Sequence, residues 1–443
     1  MSKMKYSGIE WIGDIPENWN LKKIKYIYNI QTGFTPDTTR DDYYSLEKQN
    51  VWVSIADLTS CEGKYINDSN NYISNLYIRE KHPKIVKKDS LLYSFKLSVG
   101  KTAFAGKDLY TNEAIAAFGN NNNIRLNYLN YASFLIEYNS NKNIYNALIL
   151  NQELIKNSIT IIPPLNEQKL IADFLDEKVS NLDNILLNLN KQIEILDRYK
   201  KSMITETVTK GLNKNVEYKE TNIDWIGCIP KHWKIKRLRY LFNDIKVGPF
   251  GSSLSGDDIK NKGDYWVYNQ RNVLDNNFFT NDTFIDNQKF KELKSFEVKK
   301  GDLLLTTRGT IGKVAIVPEK FTKGVIHPCL IRFTIKEDLL SPKLLKMIFN
   351  DSYIVQEQLN YKSNSTTIEV IYSYNLKDIY VPIIPKQEQN EIIKYLDKKC
   401  EQIDKIIEEK QKQIEKIEEY KKSVIYEYVT GKKRVEGAEE LYG

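Results

Sequence analysis

Histidine and cysteine are scarce, and long apolar runs are missing altogether. The 443 residues include three histidines (His82, His232, His327) and four cysteines (Cys61, Cys228, Cys329, Cys400). The histidines stand apart, with no HExxH and no serine–histidine–acid grouping, so no familiar hydrolytic centre can be assembled. The cysteines form no CxxC pair, which excludes a disulfide framework or a zinc site and fits a reducing cytoplasm. No stretch approaches ~18–20 uninterrupted apolar residues, and the start MSKMKYSGIEWIGD lacks an apolar signal region, so the expectation is a soluble cytoplasmic protein. A phosphate loop is missing as well: Gly309-Thr310-Ile311-Gly312-Lys313 has the wrong spacing, and Val314 stands where a Ser or Thr would hold magnesium. No glycine-rich loop follows a strand to bind an adenosyl cofactor. Glu297-Val298-Lys299 is half of a nuclease motif that is common by chance. The sequence offers no catalyst, metal or cofactor site of its own.

What is present is a folded chain, 41% hydrophobic and 12% aromatic, with a net charge of +7. The surplus is localised. Residues 1–162 carry 19 basic and 16 acidic side chains and residues 213–385 carry 26 and 20, whereas 163–212 (7 and 8) and 386–434 (13 and 11) nearly balance. Two basic blocks suit a polyanionic partner.

The chain also repeats itself. IEWIGDIPENWNLKKIKYIYN (9–29) returns as IDWIGCIPKHWKIKRLRYLFN (223–243), placing Trp11, Gly13, Pro16, Trp19, Tyr26 and Asn29 against Trp225, Gly227, Pro230, Trp233, Tyr240 and Asn243. A second repeat matches residues 163–209 to 384–430, with Glu167, Gln168, Leu175, Asp176, Gln192, Tyr199 and Lys200 all preserved. The period is too long for a solenoid and implies a duplicated pair of domains. Residues 1–162 and 213–383 read as globular blocks, 163–212 and 384–431 as long helices, and 432–443 as a tail.

In the first helix Val179, Leu182, Leu186, Leu189, Ile193 and Leu196 form a 3-4 apolar seam; in the second Cys400, Ile403, Ile407, Ile414 and Ile417 do. Lys410 interrupts the second seam, and Lys200 and Lys421 interrupt both at the same point. Pro163–Pro164 and Pro382–Pro385 mark the helix starts. About 40 residues give a rod of roughly 60 Å. So narrow a seam needs a partner, and the other copy supplies one.

Between the repeated frames, residues 30–160 and 244–380 share only local echoes, such as DSLLYSFKLSVGK (89–101) beside DLLLTTRGTIGK (302–313). Each block reads as α+β, with a twisted sheet and polar turns. A common frame carrying two divergent inserts suggests two different reading surfaces. Base recognition needs Arg or Lys for guanine and Asn or Gln for adenine, with phosphate-contacting groups to set the register. The turns supply candidates: Thr32, Gly33, Thr35, Lys96, Ser98 and Lys101 in the first block, then Gly248, Gly251, Ser252, Ser253, Asn269, Gln270, Arg271, Thr307, Arg308 and Lys313 in the second.

The motifs WIG.IP..W at the head of each half, GPFGS (248–252), RGTIGK (308–313) and the helix entry PPLNEQKLIADFLD (163–176) together resemble type I restriction–modification specificity subunits over nearly the whole chain. That resemblance implies two target recognition domains of mixed α/β structure, separated by two long antiparallel coiled-coil helices in a pseudo-twofold arrangement. Each domain would read one half of a split double-stranded DNA target. Two methyltransferase (modification) subunits carrying S-adenosylmethionine would dock on the helices, and restriction/translocase subunits would bring ATP and magnesium. This chain itself would be non-catalytic. One departure is Ser-Phe-Lys-Leu-Ser (94–98), which stands where the second half has an Arg-Gly turn and leaves Lys96 as its cation. The residues alone also allow a stand-alone DNA-binding adaptor, a metal-dependent nuclease built from scattered carboxylates, or a structural coiled-coil protein.

Overall fold

The computed structural model describes residues 3–119, 125–142, 148–362 and 370–436; most of the expected tail, from 437 onward, lies outside them. The chain forms two compact units, one of residues 1–188 with 413–443 and the other of residues 189–412. Both cuts fall inside long helices, α1 (Leu165–Lys210) and α2 (Lys386–Val429), so each helix contributes one end to each unit. Among the described residues no helix is long and apolar enough to cross a membrane.

The first unit is built on a five-stranded sheet in the order 30–32, 115–118, 91–94, 102–105, 65–66. Strand Leu91–Ser94 is buried along its whole length, which explains why it reads as a continuous apolar run rather than an alternating one. Its side chains still divide by parity. Leu91 and Tyr93 join Phe104, Phe118 and Leu129 on one face, while Leu92 joins Val51, Ala103 and Ile115 on the other. A three-stranded sheet, 110–111 beside 50–53 beside 72–73, includes a parallel pair in which Tyr110 faces Trp52.

The second unit repeats this plan. A four-stranded sheet runs 242–247, 330–335, 303–306, 314–316, and a three-stranded sheet runs 284–285, 265–268, 324–326, again with one parallel pair. The inserts that share so little sequence therefore share their sheets. A buried strand demands apolar character and length, not particular residues.

The repeated frame supplies the joints. Strand 20–23 pairs with 159–162, and strand 234–237 with 380–383. Pro382 lies inside the latter strand opposite Ile235, so it does not mark the helix start as expected; Pro385 immediately precedes α2. The preserved Glu-Gln pair has two tasks. Glu167 accepts from the indole Nε1 of buried Trp19 at 3.0 Å, and Glu388 from Trp233 at 3.1 Å. Buried Gln168 donates to the Pro163 carbonyl (2.8 Å) and accepts from the Arg125 amide (3.0 Å). Gln389 likewise donates to Ile384 (2.7 Å) and accepts from the Ser341 amide (2.8 Å). Arg125 and Ser341 each head a helix of the adjoining domain, so one amide fixes two helix starts at once.

Each frame tryptophan also meets a helix end. Gly431 (φ +72°) closes down on Pro16 and Trp19, and Gly211 (φ +74°) on Trp233. A Cβ at Gly431 would lie 2.4 Å from Pro16 Cδ. The left-handed turn and the close approach together require glycine at that position.

Within each unit the helix ends run side by side. Asp183 meets Lys421 at 2.5 Å and the rings of Phe174 and Tyr428 lie 4.5 Å apart in the first unit. In the second, Lys200 meets Asp404 at 2.6 Å and Lys410 donates to Gln192 at 2.5 Å. The lysines that interrupt the seam thus each bind a polar partner on the facing helix. Leu182, Leu189 and Ile403 are buried; Val179, Leu186, Ile193, Leu196, Cys400, Ile407, Ile414 and Ile417 are half-buried.

Candidate nucleic-acid interface

The turn between strands 303–306 and 314–316 is organised by one hydroxyl. Thr306 Oγ1 donates to the Thr310 carbonyl (2.6 Å) and accepts from the Lys313 amide (3.0 Å), while the Gly312 amide returns to the Thr306 carbonyl (2.9 Å). Gly309 (φ +63°) and Gly312 (φ +77°) allow the reversal. The result is a rigid turn with Arg308 exposed on it.

The turn in the first unit has the same bonds. Ser94 Oγ donates to the Ser98 carbonyl and accepts from the Lys101 amide (3.1 Å), and the Gly100 amide returns to the Ser94 carbonyl (3.0 Å). Leu97 (φ +62°) takes the place of Gly309. Position by position Ser94 matches Thr306 and Lys101 matches Lys313, so Lys96 occupies the place of Arg308. Among the described residues neither cation has an acidic partner. An exposed cation without a carboxylate is available to a base edge or a phosphate.

Other elements converge on these turns. Gly248 ends strand 242–247, and a Cβ there would lie 2.3 Å from the His327 carbonyl oxygen. Gln270 sits against Gly309, its side chain 3.1 Å from where a Cβ would be. Thr307 is buried and donates to the Cys329 carbonyl at 2.9 Å. Gly33 makes the corresponding approach to Thr111, and Thr35 is held by Glu113 and by Asn112 (2.9 Å). Thr32 accepts from Gln152, and the Ser98 carbonyl is engaged by Ser94. Gly251, Ser252, Ser253 and Arg271 are exposed, the last within 3.5 Å of Asp275.

Two candidates face inward instead. Asn269 is the N-cap of helix Gln270–Leu274: its carbonyl oxygen accepts from Arg271 N (2.9 Å) and its amide donates to Thr283 (3.2 Å). Both ends of the side chain are thus engaged in holding the helix start. Lys313 is half-buried and donates from Nζ to the Asn350 carbonyl at 2.9 Å, with its pKa lowered by burial. Lys101, its counterpart, remains exposed.

One supporting segment left no trace in the sequence. Asn112 Oδ1 accepts from the Ala114 amide (2.9 Å), and His327 Nδ1 accepts from the Cys329 amide (3.2 Å). The two side chains brace the same bend, one as an amide and one as a neutral imidazole. Burial, with the nearby Arg308 charge, lowers the His327 pKa and keeps Nδ1 free to accept.

The chain matches the family model for the type I restriction modification DNA specificity domain twice, over residues 16–196 and 230–417. It belongs to that family. The two matches each begin at the frame proline, Pro16 or Pro230, and take in both cation-bearing turns and most of the long helices. The type I restriction enzyme MjaVIII specificity subunit of Methanocaldococcus jannaschii is 25% identical over 437 residues, covering 95% of this chain and 94% of its own. The EcoBI specificity subunit of Escherichia coli is 25% identical over 288 residues, covering 62% and 58%. A chain from a structural study of type I R-M system assembly and conformational transition superposes with a TM-score of 0.66 at 13% identity, covering 94% of this chain and 98% of that one, a likeness of fold.

Proposed function

We propose that this chain is the specificity subunit of a type I restriction–modification complex, itself without catalysis, in which each unit's insert reads one half of an asymmetric double-stranded target. The observation that carries this reading is the repeated turn: one hydrogen-bonded scaffold, presenting Lys96 in the first unit and Arg308 in the second. Arg suits a bidentate guanine contact, while Lys offers a single flexible charge. The surroundings differ too, with Gln270 beside Arg308 and Leu97 beside Lys96, so the half-sites differ in sequence. The long helices pair antiparallel as a coiled-coil spacer between the two half-site readers. Two modification subunits bind this frame and bring S-adenosylmethionine; restriction/translocase subunits bring ATP and magnesium.

The test is co-expression with a cognate modification subunit, followed by mapping of methylated bases across the host genome. The expected result is one asymmetric split motif, of which one half changes when residues 244–380 are exchanged for another insert. A stable complex that methylates nothing would favour a stand-alone DNA-binding adaptor.

A further inference from the structure

The two cation-bearing turns share their hydrogen bonds but differ at one position of the tip. Each turn is pinned to its core on both flanks. Phe95 is buried and Val99 packs on the same cluster; Thr307 is buried and Ile311 half-buried. The residues between, Lys96-Leu97-Ser98 and Arg308-Gly309-Thr310, form the tips. Leu97 is unfavourable there on two counts. Its φ of +62° suits a glycine such as Gly309 and crowds the Cβ of any other residue against the following carbonyl. Among the described residues the other non-glycine positions with positive φ are His82, Asp89, Asn222 and Asn276, polar types that tolerate it. The Leu97 side chain is also 93% exposed, so it adds nothing to the core beneath it. A strained apolar residue that stabilises nothing in its own fold points to contact with something outside it.

The nearby short helix changes in the same direction. Helices Ile55–Thr59 and Gln270–Leu274 each follow the middle strand of a three-stranded sheet, and each starts on a capping box, Ser54 with Asp57 and Asn269 with Asn272. Gln270, directly after its cap, sits against Gly309. The residue directly after the cap in the first unit is Ile55. Polar Gln270 and bare Gly309 thus give way to Ile55 and Leu97. The second unit sets a hydrogen-bonding amide by its cation, and the first sets hydrocarbon.

At the base edges of the major groove the apolar group on offer is the 5-methyl of thymine. Lys96, exposed and next in the chain, supplies the charge that holds such a tip against a polyanion. We propose that Leu97 is a specificity-determining residue, packing on the 5-methyl group of a thymine in the half-site read by the first unit. This rests on the specificity-subunit reading above. The second unit, with Gly309 at that place, makes no such contact from its turn.

The experiment uses the full chain in complex with its modification subunit, and a duplex carrying the target defined by methylation mapping. The first unit's half-site is the one that stays constant when residues 244–380 are exchanged. Each thymine in it is replaced in turn by deoxyuridine, which removes the methyl group and keeps every hydrogen-bonding group. Covering one methyl changes affinity by about fourfold, and the wild-type complex should lose that much on one of these duplexes. Leu97→Gly removes the side chain and relieves the backbone, and Leu97→Asn puts a polar side chain that tolerates the same conformation in its place. Both variants should bind the thymine and deoxyuridine duplexes equally, while deoxyuridine effects in the other half-site stay as in wild type. The urea midpoint of L97G should be no lower than that of wild type. Equal wild-type binding to every deoxyuridine duplex, or a half-site without thymine on either strand, would overturn the inference. So would uniform weakening of L97G on all sequences, which would make Leu97 a support for the turn. If the wild-type complex shows no preference among unrelated duplexes, the specificity-subunit reading fails first and the Leu97 inference with it.

Discussion

Replacing Arg308 by alanine removes the cation and leaves the turn beneath it intact, because Thr306, Gly309 and Gly312 hold that turn without the guanidinium. Arg308 is exposed, so folding stability should change by less than ~0.5 kcal/mol. If Arg308 reads a base edge, the loss is one bidentate contact, ~1–3 kcal/mol of discrimination, or roughly 5- to 150-fold. The assay is competition binding of the complex to the cognate target and to targets changed at single positions of the half-site read by the second unit. R308A should flatten discrimination at one base pair and leave the others as they were. Arg308→Lys should recover part of the affinity but little of the discrimination, since an ammonium cannot form the planar fork. The contrary result is also well defined. Equal weakening on every sequence, with the slope of log K against log salt reduced by about 1, would make Arg308 a phosphate contact and refute base reading.

Further outcomes follow from other joints. Glu167 is almost wholly buried and accepts from Trp19 and Asn18, and Arg434 brings Nη2 to 2.6 Å with its N–H bonds pointing off the carboxylate. Glu167→Gln should therefore cost about 3 kcal/mol by leaving a buried guanidinium uncompensated, whereas Glu388→Gln, at a carboxylate 34% exposed, should cost ~1 kcal/mol or less; urea unfolding distinguishes them. His327, held neutral in the fold, has a pKa below the ordinary 6.5. The unfolded chain takes up that proton first as pH falls, so the contribution is complete above pH 6.5 and is lost through the folded-state pKa below it. His327→Asn, which installs the residue found at position 112, should lessen the fall in urea midpoint between pH 7.5 and 5.5. Removing ~7 residues, one heptad, from α1 should alter the methylated motif's spacer and leave its half-site bases unchanged; altered bases at constant spacing would count against a ruler.

The frame was legible because its parts are held by chemistry that tolerates few substitutes. A buried indole N–H needs an acceptor, and one side-chain amide serves two helix starts, so Trp19, Glu167, Gln168 and their copies persist as letters. The inserts were opaque for the opposite reason: strands 115–118 and 330–335 occupy the same place in their sheets with different residues. The candidate site was half legible. The echo ending in Gly-Lys located the turn correctly. Residue type could not reveal which cation points outward, since Lys101 is exposed while Lys313 reaches back to Asn350. Nor could it reveal that Asn269 caps a helix, since an amide that can read adenine can equally take that position.

The division of the chain also orders its synthesis. The second unit is one unbroken stretch, the 224 residues from 189 to 412, whereas the first joins residues 1–188 to 413–443. At ~5–20 residues per second a ribosome needs roughly 10–45 s to cross that interval. Throughout that time the amino-terminal domain lacks the segment that brings Gly431 onto Trp19 and Arg434 onto Glu167. The domain made first is thus the one finished last, and a premature stop codon near the 3′ end of the reading frame would injure the opposite end of the polypeptide.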